Sequence, residues 1–133
     1  MTVNASGRIG PMQVALPIRQ RGNCCDVNLD LKPAAVEAAV EILKVLADPA
    51  RLQMLAALRD ATEPICVCDF TAALGLSQPT ISHHMGKLRQ AGLVKVTREG
   101  VWSFYELEPR LPATVSDLLA GAVALGSARM RRA

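Results

Sequence analysis

A mainly α-helical fold with one β-hairpin, arranged as a winged helix-turn-helix, is what this sequence predicts. Three observations carry that expectation. Two short apolar-periodic stretches meet at a Gly75-Leu76 corner; an alternating hairpin follows them directly; and wider apolar stripes lie near both ends of the chain.

Taken in order, Met1 to Gly22 scatters Gly7, Gly10, Pro11, Pro17 and Gly22 through a stretch without sustained period. With Asn23-Cys24-Cys25-Asp26 it reads as a flexible arm over residues 1–30, ahead of a folded domain over 31–133. Val14 to Ile18 is apolar but broken by Pro17, too short to cross a bilayer or to serve as a secretory segment, so the cytoplasm is the expected location. Val27 to Lys32 is mixed and reads as unhelical. Pro33 suits a first helical turn, and Val36, Val40, Leu43 and Leu46 then draw one stripe, widened by Ala38, Ala39 and Ala47. A stripe that broad can serve the subunit's own core and a partner helix together. Asp48-Pro49 ends this helix and starts another, in which Leu52, Leu55 and Leu58 face inward; Asp60 to Pro64 is a loop.

In the next helix Phe70, Ala73 and Leu74 form the apolar face. Gly75-Leu76 stops it, Ser77 caps its successor, and Pro79 sits in the new first turn. There Ile81, Met85 and Leu88 recur at core spacing, leaving Gln78, Pro79, Ser82, His83 and Gly86 outside. Short polar side chains on the outer face of a second helix suit entry into the major groove of DNA, where bulky ones would hold the backbones apart. Leu93 to Arg98 alternates apolar and polar, Glu99-Gly100 supplies a turn, and Val101 to Leu107 alternates back, which makes a wing. Pro109 and Pro112 bracket a linker. A last helix with Val115, Leu118, Leu119, Ala122, Val123 and Leu125 is nearly uncharged until Arg129 and must be buried against something.

Half of the 133 residues are apolar but only 3% are aromatic, so Ala, Leu and Val must fill a helix-rich core of modest area, for which a second subunit is the natural supplement. The net charge of +3 is compatible with nucleic acid without requiring it. No phosphate-cradling glycine loop, dinucleotide fingerprint or paired nucleophile and base is present, and an enzyme is not expected.

Several motifs occur in a familiar order: Leu46-Ala-Asp-Pro-Ala-Arg-Leu52, Ile65-Cys-Val-Cys-Asp-Phe70, Ser82-His-His-Met-Gly-Lys-Leu-Arg-Gln-Ala-Gly-Leu-Val94 and the strand Trp102 to Leu107. From about Pro33 onward the chain resembles the ArsR/SmtB family of metal-sensing winged-helix repressors. The resemblance implies a homodimer made by the first and last helices and a double-stranded operator as partner. For base edges the candidates are Gln78, Thr80, Ser82 and His83; for phosphates, Lys87 and Arg89, with Lys95 and Arg98 on the wing. His84 flanks the core face and reads as a structural imidazole.

The chemistry lies in sulfur. In a reducing compartment four cysteines, Cys24, Cys25, Cys66 and Cys68, are better candidates for metal ligands or redox thiols than for structural disulfides. Residues two apart on a regular helix point about 200° from each other, so Cys66 and Cys68 can share an ion only at a helix end, in an irregular segment, or with ligands from elsewhere. Cys24 and Cys25 are the remaining donors. Thiolates exclude Mg and Ca and leave arsenic, antimony, cadmium, lead, copper(I) or zinc. Cys66-Val67-Cys68-Asp69 is similar to the family's arsenic- and cadmium-sensing motif, although Phe70, Thr71 and Ala72 stand where one arsenic branch carries a third cysteine. Adjacent Cys24-Cys25 is closer to the arsenic arrangement. The resemblance therefore implies As(III) or Sb(III) as inducer, with Cd(II) or Pb(II) as the alternative and a metal-free thiol redox switch as a rival. The family's other site, on the last helix, needs histidine; that helix has Asp117 and none, because the two histidines are His83 and His84.

Overall fold

The computed structural model describes residues 27–127. Val27–Leu31 is irregular, and Cys24 and Cys25 lie outside the described residues. From Lys32 the chain forms a compact unit. Its elements are α1 (Pro33–Leu46), α2 (Pro49–Asp60), β1 (Ile65–Cys66), α3 (Val67–Leu74), α4 (Gln78–Gln90), β2 (Val94–Glu99), β3 (Trp102–Leu107) and α5 (Ala113–Ser127).

The helix starts follow capping chemistry. Pro49 opens α2 behind Asp48, whose carboxylate accepts the Arg51 backbone N–H at 2.9 Å. That bond, more than any other influence, holds the Asp48 carboxyl below the usual carboxylate range, with the Arg51 charge adding to it against partial burial. Ser77 caps α4 by accepting from the Thr80 N–H. Between α3 and α4, Gly75 ends the helix with φ +65°, a left-handed conformation that glycine takes without steric cost.

One core joins α2, α3, α4, the sheet and α5: Met54, Leu55, Leu58, Val67, Phe70, Ile81, Met85, Leu88, Leu93, Val94 and Leu119 are all buried. Ile81, Met85 and Leu88 face inward as their spacing predicts, each with 0% exposure. Other expectations need correction. Ala73 is exposed, and Val67 joins Phe70 in the core instead, because α3 starts a turn earlier than its apolar pattern suggested. In α2, Met54 is buried beside Leu55 and Leu58, whereas Leu52 is only half-buried.

The wing turns at Gly100-Val101 and not at Glu99-Gly100, since Glu99 pairs with Trp102 and Gly100 takes φ +62°. A strand that periodicity did not reveal, β1, pairs antiparallel with β3, Ile65 opposite Tyr105 and Cys66 opposite Phe104, giving the sheet order β1-β3-β2. Two residues are too few to show alternation.

Towards the two ends of the described residues the apolar stripes stay open, except that Leu46 at the end of α1 is buried. Val36, Val40 and Leu43 on α1 are exposed by 38%, 38% and 50%, and on α5 Leu118 and Leu125 are exposed while Leu119 is buried. No helix among the described residues is long and apolar enough to cross a membrane.

Candidate functional site

The sulfur pair is built by the join between β1 and α3. Cys66 ends the strand with φ −70° and ψ 146°, an extended backbone, and acts as N-cap; Cys68 is already helical. This switch cancels the opposition that two residues apart would have on a continuous helix. The two sulfurs lie 2.8 Å apart, and the Cys68 N–H points at Cys66 Sγ at 3.5 Å. Two sulfurs bound to one tetrahedral ion at about 2.3 Å each stand about 3.8 Å apart, so this pair would share one after opening by about 1 Å. The N–H end of a helix also favours the negative charge that ligating sulfur carries. Cys66 is buried and Cys68 exposed, so the pair has one anchored and one accessible member.

The hydrogen bond to Cys66, with smaller contributions from desolvation and the charges of Cys66 and Asp69, pushes the Cys68 thiol above its ordinary pKa. Thr71 Oγ1 donates to the Cys68 carbonyl at 2.7 Å and steadies the first turn. Among the described residues no group of three His, Cys, Asp or Glu side chains is placed to hold an ion. Asp69, next in sequence, is exposed.

The outer face of α4 and the wing form the second surface. Gln78, Ser82, Gly86, Arg89 and Gln90 line one side of an open cleft of about 410 Å³, and Arg98 and Ser103 line the other. Four of the residues singled out for DNA, Gln78, Ser82, Arg89 and Arg98, thus converge. His83 and Lys87 are exposed on α4 outside that lining. Thr80 is half-buried, with its hydroxyl 2.8 Å from Ser77 Oγ in the cap of α4. Lys95 lies opposite Glu106 on the hairpin and pairs with it at 3.0 Å, an interaction that competes with any phosphate. Gln90 and Ser103 were not singled out from the sequence; Ser103 faces the cleft because it shares a strand face with Tyr105, a parity that the hairpin register alone could have supplied. His84 is half-buried, and its Nδ1 lies 3.1 Å from Arg51 Nη1.

A tight helix pair, a capped second helix with a small polar outer face, and a hairpin flanking that face define a winged helix-turn-helix DNA-binding protein. A family model described as bacterial regulatory protein, arsR family, matches residues 48–96. The chain is 43% identical over 82 residues to the arsenic resistance transcriptional regulator ArsR1 of Pseudomonas putida, covering 62% of this chain and 63% of that one. It is 39% identical over 80 residues to the arsenical resistance operon repressor of Escherichia coli, covering 60% and 68% of the two. Among solved structures, the homodimeric winged helix-turn-helix DNA-binding domain of a possible ArsR-family transcriptional regulator from Mycobacterium bovis matches with TM-score 0.61 at 26% identity, covering 80% of this chain and 94% of that one. The chain belongs to the ArsR family of bacterial transcriptional regulators, DNA-binding proteins and not enzymes.

Proposed function

We propose that this chain is a metal(loid)-responsive repressor whose homodimer binds operator DNA and is released when As(III) or Sb(III) is held by Cys66 and Cys68 together with Cys24 and Cys25. The observation that carries this reading is the 2.8 Å approach of the two sulfurs at the first turn of α3, the helix that abuts the recognition helix α4. An ion there pulls on the start of the reading head. Support for As(III) comes from the arsenical-resistance regulators among the relatives and from the adjacent Cys24-Cys25 pair. Cd(II) and Pb(II) are the alternative occupants of the same thiolates.

The uncovered stripes of α1 and α5 support the dimer, as does the homodimeric solved relative. Base edges are met by Gln78, Ser82 and His83, with Thr80 at the helix start. Lys87, Arg89 and Arg98 meet phosphates, and Lys95 does so only by giving up Glu106. Ion and operator then oppose one another through a coupling of about 1–3 kcal/mol, or about 5- to 150-fold in affinity, and the operator weakens the ion by the same factor.

The test is a titration of the full chain with As(III), Sb(III), Cd(II), Pb(II) and Zn(II), following thiolate-to-metal charge-transfer absorption with and without operator. Stoichiometric As(III) uptake that releases DNA, lost in Cys66→Ser while DNA binding persists, is the expected result. Release by mild oxidant with a disulfide and no ion uptake would replace the sensor with a redox switch. Equal operator affinity in every condition would leave a plain DNA-binding protein.

A further inference from the structure

We propose that Arg51 is a positioning residue for the recognition helix, acting through His84. Its guanidinium is a two-ended link. Nε donates to the Val45 carbonyl in the last turn of α1 at 2.7 Å, and Nη1 donates to His84 Nδ1, in the middle of α4, at 3.1 Å. The Arg51 backbone N–H is itself held by the Asp48 cap at 2.9 Å, so the base of this side chain is fixed at the α1–α2 corner. Among the described residues α1 and α4 have little direct packing of their own, and the guanidinium is the polar bridge between them. The angle of the recognition helix therefore follows the helix that carries the open apolar stripe. The inference rests on the reading of the chain as an operator-binding dimer and adds the part that sets how its reading heads are aimed.

A guanidinium only donates, so His84 Nδ1 is the acceptor of this bond. The charged and titratable groups facing the ring are Asp48 from the α1–α2 corner, Arg51 from α2, and His83 from its own helix, at a ring separation of 6.1 Å. Among the described residues, α3 and β2, which also pack on α4, bring no charged group within hydrogen-bonding or ion-pairing distance of it.

The experiment compares wild type, Arg51→Lys, His84→Asn and His84→Phe, each as the full chain. Affinity is measured for a duplex that wild type selects from a random-sequence pool and for a scrambled duplex of the same composition. Lysine keeps the charge but cannot reach two acceptors with a planar fork, so R51K should lower the selected-to-scrambled ratio by about tenfold, the scale of one charge-assisted hydrogen bond. Its salt slope should stay as in wild type, because no phosphate contact is lost.

Asparagine places an acceptor oxygen where Nδ1 stands. His84→Asn should keep the wild-type ratio, whereas His84→Phe, which has the ring's bulk but no acceptor, should lower it by about tenfold as R51K does. Both proteins keep His83, so the difference between them reports His84 alone. An unchanged ratio in R51K or in H84F would overturn the proposal; should R51K not fold, the comparison of H84N with H84F decides. Failure of wild type to select any duplex would overturn the repressor reading instead. The link is then still read by ¹⁵N NMR, where a proton on His84 Nδ1 at neutral pH would refute it.

Discussion

The same kind of apolar stripe runs along α4 and α1, and the two meet opposite fates. Ile81, Met85 and Leu88 on α4 lose all contact with solvent against α2, α3 and the sheet, whereas Val36, Val40 and Leu43 on α1 remain between 38% and 50% exposed. Spacing thus identifies a face but does not say what covers it. On α4 the cover comes from the same chain; on α1 the face is left for the second copy that the proposed dimer supplies. The pocket between α1 and α5, lined by Ala38, Ala39, Ile42, Leu43, Val115 and Leu118, continues that open face onto the last helix.

Truncation of the closed stripe should have the largest effect. Leu88→Ala should lower unfolding free energy by about 2–5 kcal/mol, read from denaturant melts, because a cavity replaces fully enclosed methyl groups. A cost within about 0.5 kcal/mol would contradict its place in the core.

On the open stripe, Leu43→Glu should leave the fold of each subunit intact by circular dichroism while raising the dimer dissociation constant by about tenfold or more, the equivalent of about 1.5–3 kcal/mol of lost leucine burial. Sedimentation showing an unchanged dimer would place the subunit contact elsewhere.

The corner between α1 and α2 joins the two regions, and its cap should matter next. Asp48→Ala should cost about 0.5–2 kcal/mol at neutral pH. The folded-state pKa of Asp48 is depressed, so its contribution is present above the unfolded carboxylate value of about 3.9 and disappears as pH falls through the folded value. Wild type and variant should accordingly converge in acid; a difference that persists there would assign the loss to packing.

The smallest effect belongs to the wing. Breaking the exposed Lys95–Glu106 pair with Lys95→Ala should change stability by at most about 1 kcal/mol. A larger loss would mean that the hairpin depends on this ion pair more than on the burial of Val94 and Tyr105.

The candidate site was legible unevenly. Ser77, Gly75 and the Ile81, Met85, Leu88 spacing marked the two helices of the reading head because caps, corners and faces are local properties. The cysteines were legible as a chemical type, but their helical separation argued against a shared ion unless a helix boundary fell between them. That boundary is set by β1, whose pairing with β3 joins residues about forty positions apart, and two-residue strands leave no periodic trace. The Lys95–Glu106 pair became visible once the hairpin register was known. The Arg51–His84 link had no sequence signal at all, since thirty-three positions separate its ends.

By itself the sequence determined which residues cap, turn and alternate, and which atoms can bind a soft ion, because those depend on side-chain type and on neighbours within a helical turn. Tertiary structure alone decided which apolar faces are closed, that Cys66 and Cys68 present their sulfurs to one another, and that α1 reaches the recognition helix through a guanidinium. These are contacts between segments distant along the chain, and their formation depends on how whole helices and strands pack, which no local pattern records.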